Sequence, residues 1–189
     1  MITVGILNLQ GAVSEHYDIT KEAINNLNFD CGIRIVRYIE DLSGCDGLII
    51  SGGESTVIGK LIQKRGIDKY IHENNLPIFG TCAGLVLMAN KLDHEQPVLN
   101  LMDMEVKRNA FGSQKNSFEE EIEIFGDKFQ GVFIRAPSIV NVSGDIEVLS
   151  KLNDVIIAAR DGKNLAISFH PELTEDTRLH EYFIKSLLD

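Results

Sequence analysis

Cys82 is one of three cysteines in this 189-residue sequence, and it sits in the pattern Gly80-Thr81-Cys82-Ala83-Gly84. An apolar run, Leu76-Pro77-Ile78-Phe79, precedes it, and a periodic apolar stretch, Ala83–Lys91, follows it. G-x-C-x-G between a strand and a helix is the thiol counterpart of the G-x-S-x-G nucleophile elbow. The chain must turn sharply there, which strains the central residue, and flanking residues without a Cβ let the two arms approach. The thiol then projects over the carboxyl edge of the sheet, where open α/β folds bind ligands. The N-terminal amides of the next helix favour negative charge on the sulfur. Cys31 and Cys45 lack such a setting and read as small buried hydrophobes.

A thiol that cleaves an amide needs a base that later protonates the leaving amine. Of five histidines, His16, His72 and His180 lie on predicted helices among charged residues and read as solvated side chains. His94 lies in the polar loop Asp93-His94-Glu95-Gln96. His170 directly follows the apolar strand Leu165–Phe169 and precedes Pro171-Glu172. Proline biases the preceding residue toward extended backbone. In an extended chain residues two apart point the same way, so Glu172 is predicted to reach back to the imidazole. Cys82, His170 and Glu172 thus fill the roles of nucleophile, base and orienter.

These residues need a sheet to hold them. Ile2–Leu9, Ile33–Tyr38, Asp46–Ser51 and Leu76–Gly80 read as strands, and Ser14–Leu27, Ser55–Lys64, Ile67–Glu73 and Ala83–Lys91 as helices, with Ser14 as an N-cap. That alternation implies a mainly parallel sheet with helices on both faces. Met104–Arg108, Phe118–Ile124, Gly131–Ile134, Glu147–Leu152, Val155–Arg160 and Leu165–Phe169 read as short strands. Asp154 and Asp161-Gly162-Lys163-Asn164 suggest hairpins, and Glu175–Leu188 an amphipathic closing helix. The expected architecture is α/β: a single three-layer α/β/α domain over residues 1–189, mainly parallel with added antiparallel strands.

Composition narrows the function classes. A hydrophobic content of 44 % is typical of a soluble globular chain, and no apolar run approaches the roughly 20 residues that span a bilayer. Met1-Ile2-Thr3-Val4-Gly5 reads as a first strand rather than a signal peptide. A net charge of −10 disfavours nucleic-acid binding. Three widely spaced cysteines argue against a disulfide framework and a zinc site, and point to a reducing, cytoplasmic setting.

Several segments together resemble the class I (triad) glutamine amidotransferases and, within them, the glutaminase subunits of pyridoxal 5'-phosphate synthases. They are Leu9-Gln10-Gly11-Ala12-Val13 with Glu15-His16, Ser51-Gly52-Gly53-Glu54-Ser55-Thr56, Phe79–Leu85, Arg108-Asn109-Ala110-Phe111-Gly112, Gly131–Pro137 and Ser168–Thr174. The resemblance implies a flavodoxin-like fold and hydrolysis of L-glutamine to glutamate and ammonia. The ammonia would pass to a separate (β/α)8-barrel synthase subunit, with twelve glutaminases around a synthase dodecamer, and the glutaminase would be poorly active alone. No metal or organic cofactor is implied. By position, Gly52, Gly53 and Glu54 match the glutamine-binding loop, and Gly53 with Ala83 the oxyanion amides. Glu54 would hold the substrate ammonium. Arg108, Ile134 and Arg135 match glutamine contacts, guanidinium suiting the α-carboxylate. Gln10 matches a residue near the synthase interface, where docking would order the oxyanion hole.

The sequence departs from that pattern at Ser51, where proline is usual, at Asn8, where glycine is frequent, and over Asn25–Gly32. Ser51 bears on how readily the oxyanion peptide adopts its active orientation. Three alternatives stand beside this reading: a glutaminase serving another synthase such as that of imidazole glycerol phosphate, a cysteine hydrolase or chaperone-like protein of similar fold, and a glutaminase-like regulatory subunit. In the second group the histidine adjoins the elbow, whereas Ala83 follows Cys82 here.

Overall fold

The computed structural model describes residues 1–28, 30–111 and 116–188. Gly112 of the Arg108–Gly112 segment lies outside the described residues. The strands are β1 (Ile2–Leu7), β2 (Cys31–Val36), β3 (Gly47–Ile50), β4 (Ile78–Thr81), β5 (Ala89–Leu92), β6 (Met102–Lys107), β7 (Ser117–Ile124), β8 (Asp127–Ile134), β9 (Ser138–Val142), β10 (Glu147–Leu152), β11 (Val155–Asp161) and β12 (Asn164–Ile167). The helices are α1 (Val13–Leu27), α2 (Ser55–Lys64), α3 (Ile67–Glu73), α4 (Ala83–Met88) and α5 (Arg178–Ser186).

Among the described residues, the main sheet runs β2-β1-β3-β4-β12-β11-β9-β6-β5, with β10 beside β11 and a separate hairpin of β7 and β8. The first five strands pair in parallel. Their order is the flavodoxin-like 2-1-3-4-5 arrangement. From β12 onward the pairing turns antiparallel through β11, β9 and β6, as the short turn at Asp161–Asn164 dictates.

The pleat sorts the core into two layers. On β3, Leu48 and Ile50 face one way and pack with Ile58 and Ile62 of α2 and Ile67 and Ile71 of α3. Ile49 faces the other, with Val4, Ile6, Phe79 and Ile167, against Ala23 of α1 and Leu179, Phe183 and Ile184 of α5. Each fully buried Val, Leu, Ile or Phe among them contributes about 1.5–3 kcal/mol.

Four expectations change. The predicted Ala83–Lys91 helix stops at Met88, because residues 89–92 pair in parallel with β6 and use their amides there. Ser14 does not cap α1: Ala12 occupies that position, and the Ser14 hydroxyl donates to Glu15. β9, which follows Pro137, was not among the predicted strands, and it bridges β6 and β11. His16 and His180, predicted to be solvated, are both 0 % exposed, since α1 packs against α5 over the sheet and closes over them.

Candidate active site

β4 delivers the chain to the sheet edge, and the amide of Cys82 still donates to Ile167 O of β12 at 2.8 Å. The turn then occurs within one residue. Cys82 has φ 51° and ψ −104°, a conformation rare for a residue with a side chain, and α4 begins at Ala83. Such strain costs about 1–3 kcal/mol and persists where the surroundings over-determine it. The surroundings here are tight: a Cβ on Gly84 would stand 2.1 Å from Ile50 O, and one on Gly80 2.6 Å from the Gly84 carbonyl carbon. Both flanking glycines of the motif are therefore set by backbone clearance.

β12 leads to the opposite side of the site. The Ser168 amide donates to Ile157 O and the His170 amide to Val132 O, both at 2.8 Å, so the backbone at residue 170 is tied to the β7–β8 hairpin. His170 is in near-extended backbone, φ −110° and ψ 83°, but Pro171–Leu173 form a 3-10 turn rather than continuing extended. Glu172 reaches the imidazole through that turn, with Oε1 2.7 Å from His170 Nδ1. The carboxylate side chain is fully buried and the imidazole about 10 % exposed. Burial works against charge on His170, but hydrogen bonds to Cys82 and Glu172 and the charges of both outweigh it, raising its pKa to about 10. Burial likewise opposes charge on Glu172, and the hydrogen bond to His170 holds its pKa below the usual value. Elbow and strand end, far apart in sequence, thus meet at one place: Cys82 and His170 line the same cleft and both flank Gly52, and Glu172 holds the Nδ1 side of the ring.

That cleft has a volume of about 350 Å³. Of the residues singled out in the sequence, Gly53, Glu54, Cys82, Ala83, Arg108, Ile134, Arg135 and His170 line it. Ser55, Val86, Asn109 and Pro137, not singled out, line it too. Cys82 Sγ lies 3.8 Å from Ile134 O, a weak thiol contact. Gly52 stands beside the imidazole rather than in the cleft wall.

The 52–54 loop is held from below by residues 10 and 11. Gly53 has φ +147°, open to glycine alone in practice. Gln10 Oε1 accepts from the Glu54 amide at 2.8 Å, and Ser51 Oγ lies 3.4 Å from Gln10 O and 3.2 Å from Gly52 O. A Cβ on Gly11 would be 1.9 Å from Gly52 O. Glu54 has a role the sequence did not reveal: its carboxylate caps α2, accepting from the amides of Thr56 and Val57 at 3.0 Å each. Desolvation opposes its ionisation, but those bonds together, with the Arg108 charge, outweigh it and hold its pKa below the usual value.

Solved structures define the class first. A crystal structure of a glutamine amidotransferase matches with TM-score 0.87 and 46 % identity, over 98 % of this chain and 99 % of the other. A glutamine amidotransferase from Thermotoga maritima, 13 % identical, shares the fold at TM-score 0.61 over 99 % and 96 %. The chain belongs to the SNO glutamine amidotransferase family, whose model matches residues 6–189. Among its relatives, pyridoxal 5'-phosphate synthase subunit PdxT of Methanobrevibacter smithii is 61 % identical over 100 % of this chain and 98 % of the relative. The protein of the same name from Methanothermobacter thermautotrophicus is 56 % identical over 100 % and 98 %.

Proposed function

We propose that this chain is the glutaminase subunit of a pyridoxal 5'-phosphate synthase, hydrolysing L-glutamine and supplying the ammonia to the synthase subunit. The observation that carries the reading is Cys82 and His170, the latter bonded to Glu172, in one cleft with Gly53, Glu54, Arg108 and Arg135, in a chain of this family.

The Cys82 thiolate, paired with protonated His170, attacks the glutamine Cδ, and the carbonyl π pair moves onto oxygen. The amides of Gly53 and Ala83 receive that oxyanion; one such donor is worth about 3 kcal/mol in the transition state. His170, which holds a proton at neutral pH, gives it to the nitrogen as the C–N bond breaks, and ammonia leaves. A glutamyl thioester remains. His170 then takes a proton from water, whose oxygen adds to the thioester; the C–S bond breaks, glutamate departs, and the Cys82 thiolate beside protonated His170 is restored. Glu172 holds the Nδ1–H tautomer throughout. Arg108 and Arg135 suit the substrate α-carboxylate, and Glu54, whose capping bonds leave lone pairs free, its ammonium. Gly52 and Ile134 complete the glutamine site.

Gln10 is the contact point for the synthase barrel. Its bond to the Glu54 amide lets docking act on the oxyanion loop. Assembly is twelve glutaminases on twelve synthase subunits. Three free cysteines, none paired, fit a cytoplasmic setting. Among the described residues no helix is long and apolar enough to cross a membrane.

The test is a glutaminase assay with and without a pyridoxal-phosphate synthase barrel. Ammonia release stimulated by the barrel, and abolished in Cys82→Ala without loss of folding or complex assembly, is expected. Full activity of Cys82→Ala would refute the nucleophile.

A further inference from the structure

Two buried histidines are unused by the chemistry above. His16 on α1 and His180 on α5 are wholly enclosed; His16 adjoins the far side of Glu172, and His180 stands behind His16. Oε1 of that carboxylate is taken by His170. Oε2 is buried and has no hydrogen-bond partner among the described residues, while His16 Nε2 stands 3.4 Å from it. The same Nε2 lies 3.1 Å from Thr81 Oγ1, the hydroxyl adjacent to the nucleophile, and His16 Nδ1 lies 3.0 Å from His180 Nε2.

We propose that His16 is a positioning residue for the reaction, its Nε2–H directed at Thr81 Oγ1 and Glu172 Oε2 and its tautomer fixed by His180. The proposal rests on the function assigned above. The proton assignments follow from the contacts. A bare nitrogen lone pair aimed at a buried carboxylate would be repelled, so Nε2 carries the hydrogen. His16 Nδ1 is then an acceptor and requires Nε2–H on His180. That leaves His180 Nδ1 without hydrogen, in agreement with its having no partner among the described residues. Burial depresses both imidazoles, each to a pKa of about 3, so the chain is neutral at working pH. The His16–Glu172 contact is therefore a directed dipole and not an ion pair. Among the described residues no group of three His, Cys, Asp or Glu is placed to hold a metal ion, which leaves hydrogen bonding as the work of this cluster.

The consequence is mechanical. Without a donor on its inner side, Glu172 is free to rotate within its pocket, and the His170 ring it steers loses its aim at Cys82. Small misplacements of a catalytic group cost about tenfold to a hundredfold in rate. The substrate cleft lies on the other side of His170, so binding is left alone.

The experiment compares His16→Leu, which removes the donor, with His16→Gln, whose amide nitrogen restores one near Nε2. Each is assayed in the complex with the synthase and followed by proton NMR of the His170 Nδ1–H signal in the folded chain. His16→Leu should lower kcat about tenfold or more with KM within about twofold. It should also move or broaden the Nδ1 signal, and His16→Gln should recover most of both. Where His16→Leu fails to fold, His180→Phe, which keeps an aromatic ring against Phe79, should show a smaller loss of the same kind. Wild-type kcat and an unmoved signal in the variant that folds would overturn the proposal. So would equal losses in the Leu and Gln variants that merely track lost stability. A wild-type complex without glutaminase activity would sink the assigned function alone, since the NMR signal is read without turnover.

Discussion

A Cβ on Gly52 would stand 2.5 Å from Cε1 of His170 and 3.4 Å from the Cβ of Cys82. The glycine of the loop and the imidazole of the strand end are therefore fitted to each other, and the ring has its present orientation because residue 52 has no side chain.

Gly52→Ala should displace the ring rather than unfold the chain, because an imidazole at a site edge yields more easily than backbone. We expect kcat/KM for glutamine to fall about a hundredfold, the usual scale for misplacing a reacting group by an ångström. Steady-state ammonia release with the synthase present, beside circular dichroism of the variant, checks this. Activity within a few-fold of wild type would mean that the ring has room to spare.

Glu54 is assigned two duties that one pair of variants separates. Glu54→Ala should lower unfolding free energy by about 1 kcal/mol through loss of the α2 cap. It should also raise KM for glutamine about tenfold or more with a smaller effect on kcat. Glu54→Gln keeps an acceptor for the cap but not the charge, so KM should rise while urea stability stays closer to wild type. An unchanged KM in both would confine Glu54 to capping.

Stability should peak near pH 6.5, for two opposed reasons. His16 and His180 have pKa values lowered to about 3 by burial, so the stability they lend is present above the ordinary value of 6.5 and is lost as pH falls toward 3. Two protons taken up on unfolding correspond to a slope of about 2.7 kcal/mol per pH unit. His170, raised to about 10, lends stability that is full below 6.5 and is lost as pH rises through 10. Urea midpoints from pH 5 to 9 test both limbs. His180→Phe should roughly halve the acid limb between pH 5 and 6, and a flat profile there would contradict the buried neutral pair.

Much of this was legible in the residues themselves. α2 and α3 have the predicted boundaries because Gly53-Glu54 and Gly66 mark their starts and their apolar positions repeat with helical spacing. The elbow was legible because the need for glycine at 80 and 84 is local: strand, turn and helix are contiguous. The Glu172–His170 pair was found, though the 3-10 turn that joins them differs from the extended chain expected. α4 ended early because β6, a distant segment, recruited residues 89–92 into a ladder, and propensity cannot register such a partner.

Residue order is enough to say which groups the chain holds and how each is turned locally: a thiol at a glycine-flanked bend, an imidazole at a strand end, a carboxylate two residues on. His170 could be picked out from its place at a strand end, but that two other histidines are shut away behind Glu172 came from the packing of the whole chain. His16 and His180 each sit among charged neighbours, so their helices read as solvated there. Burial is a property of what packs against a surface. α1 and α5, at opposite ends of the chain, close over the pair together, and no spacing within either helix records the other.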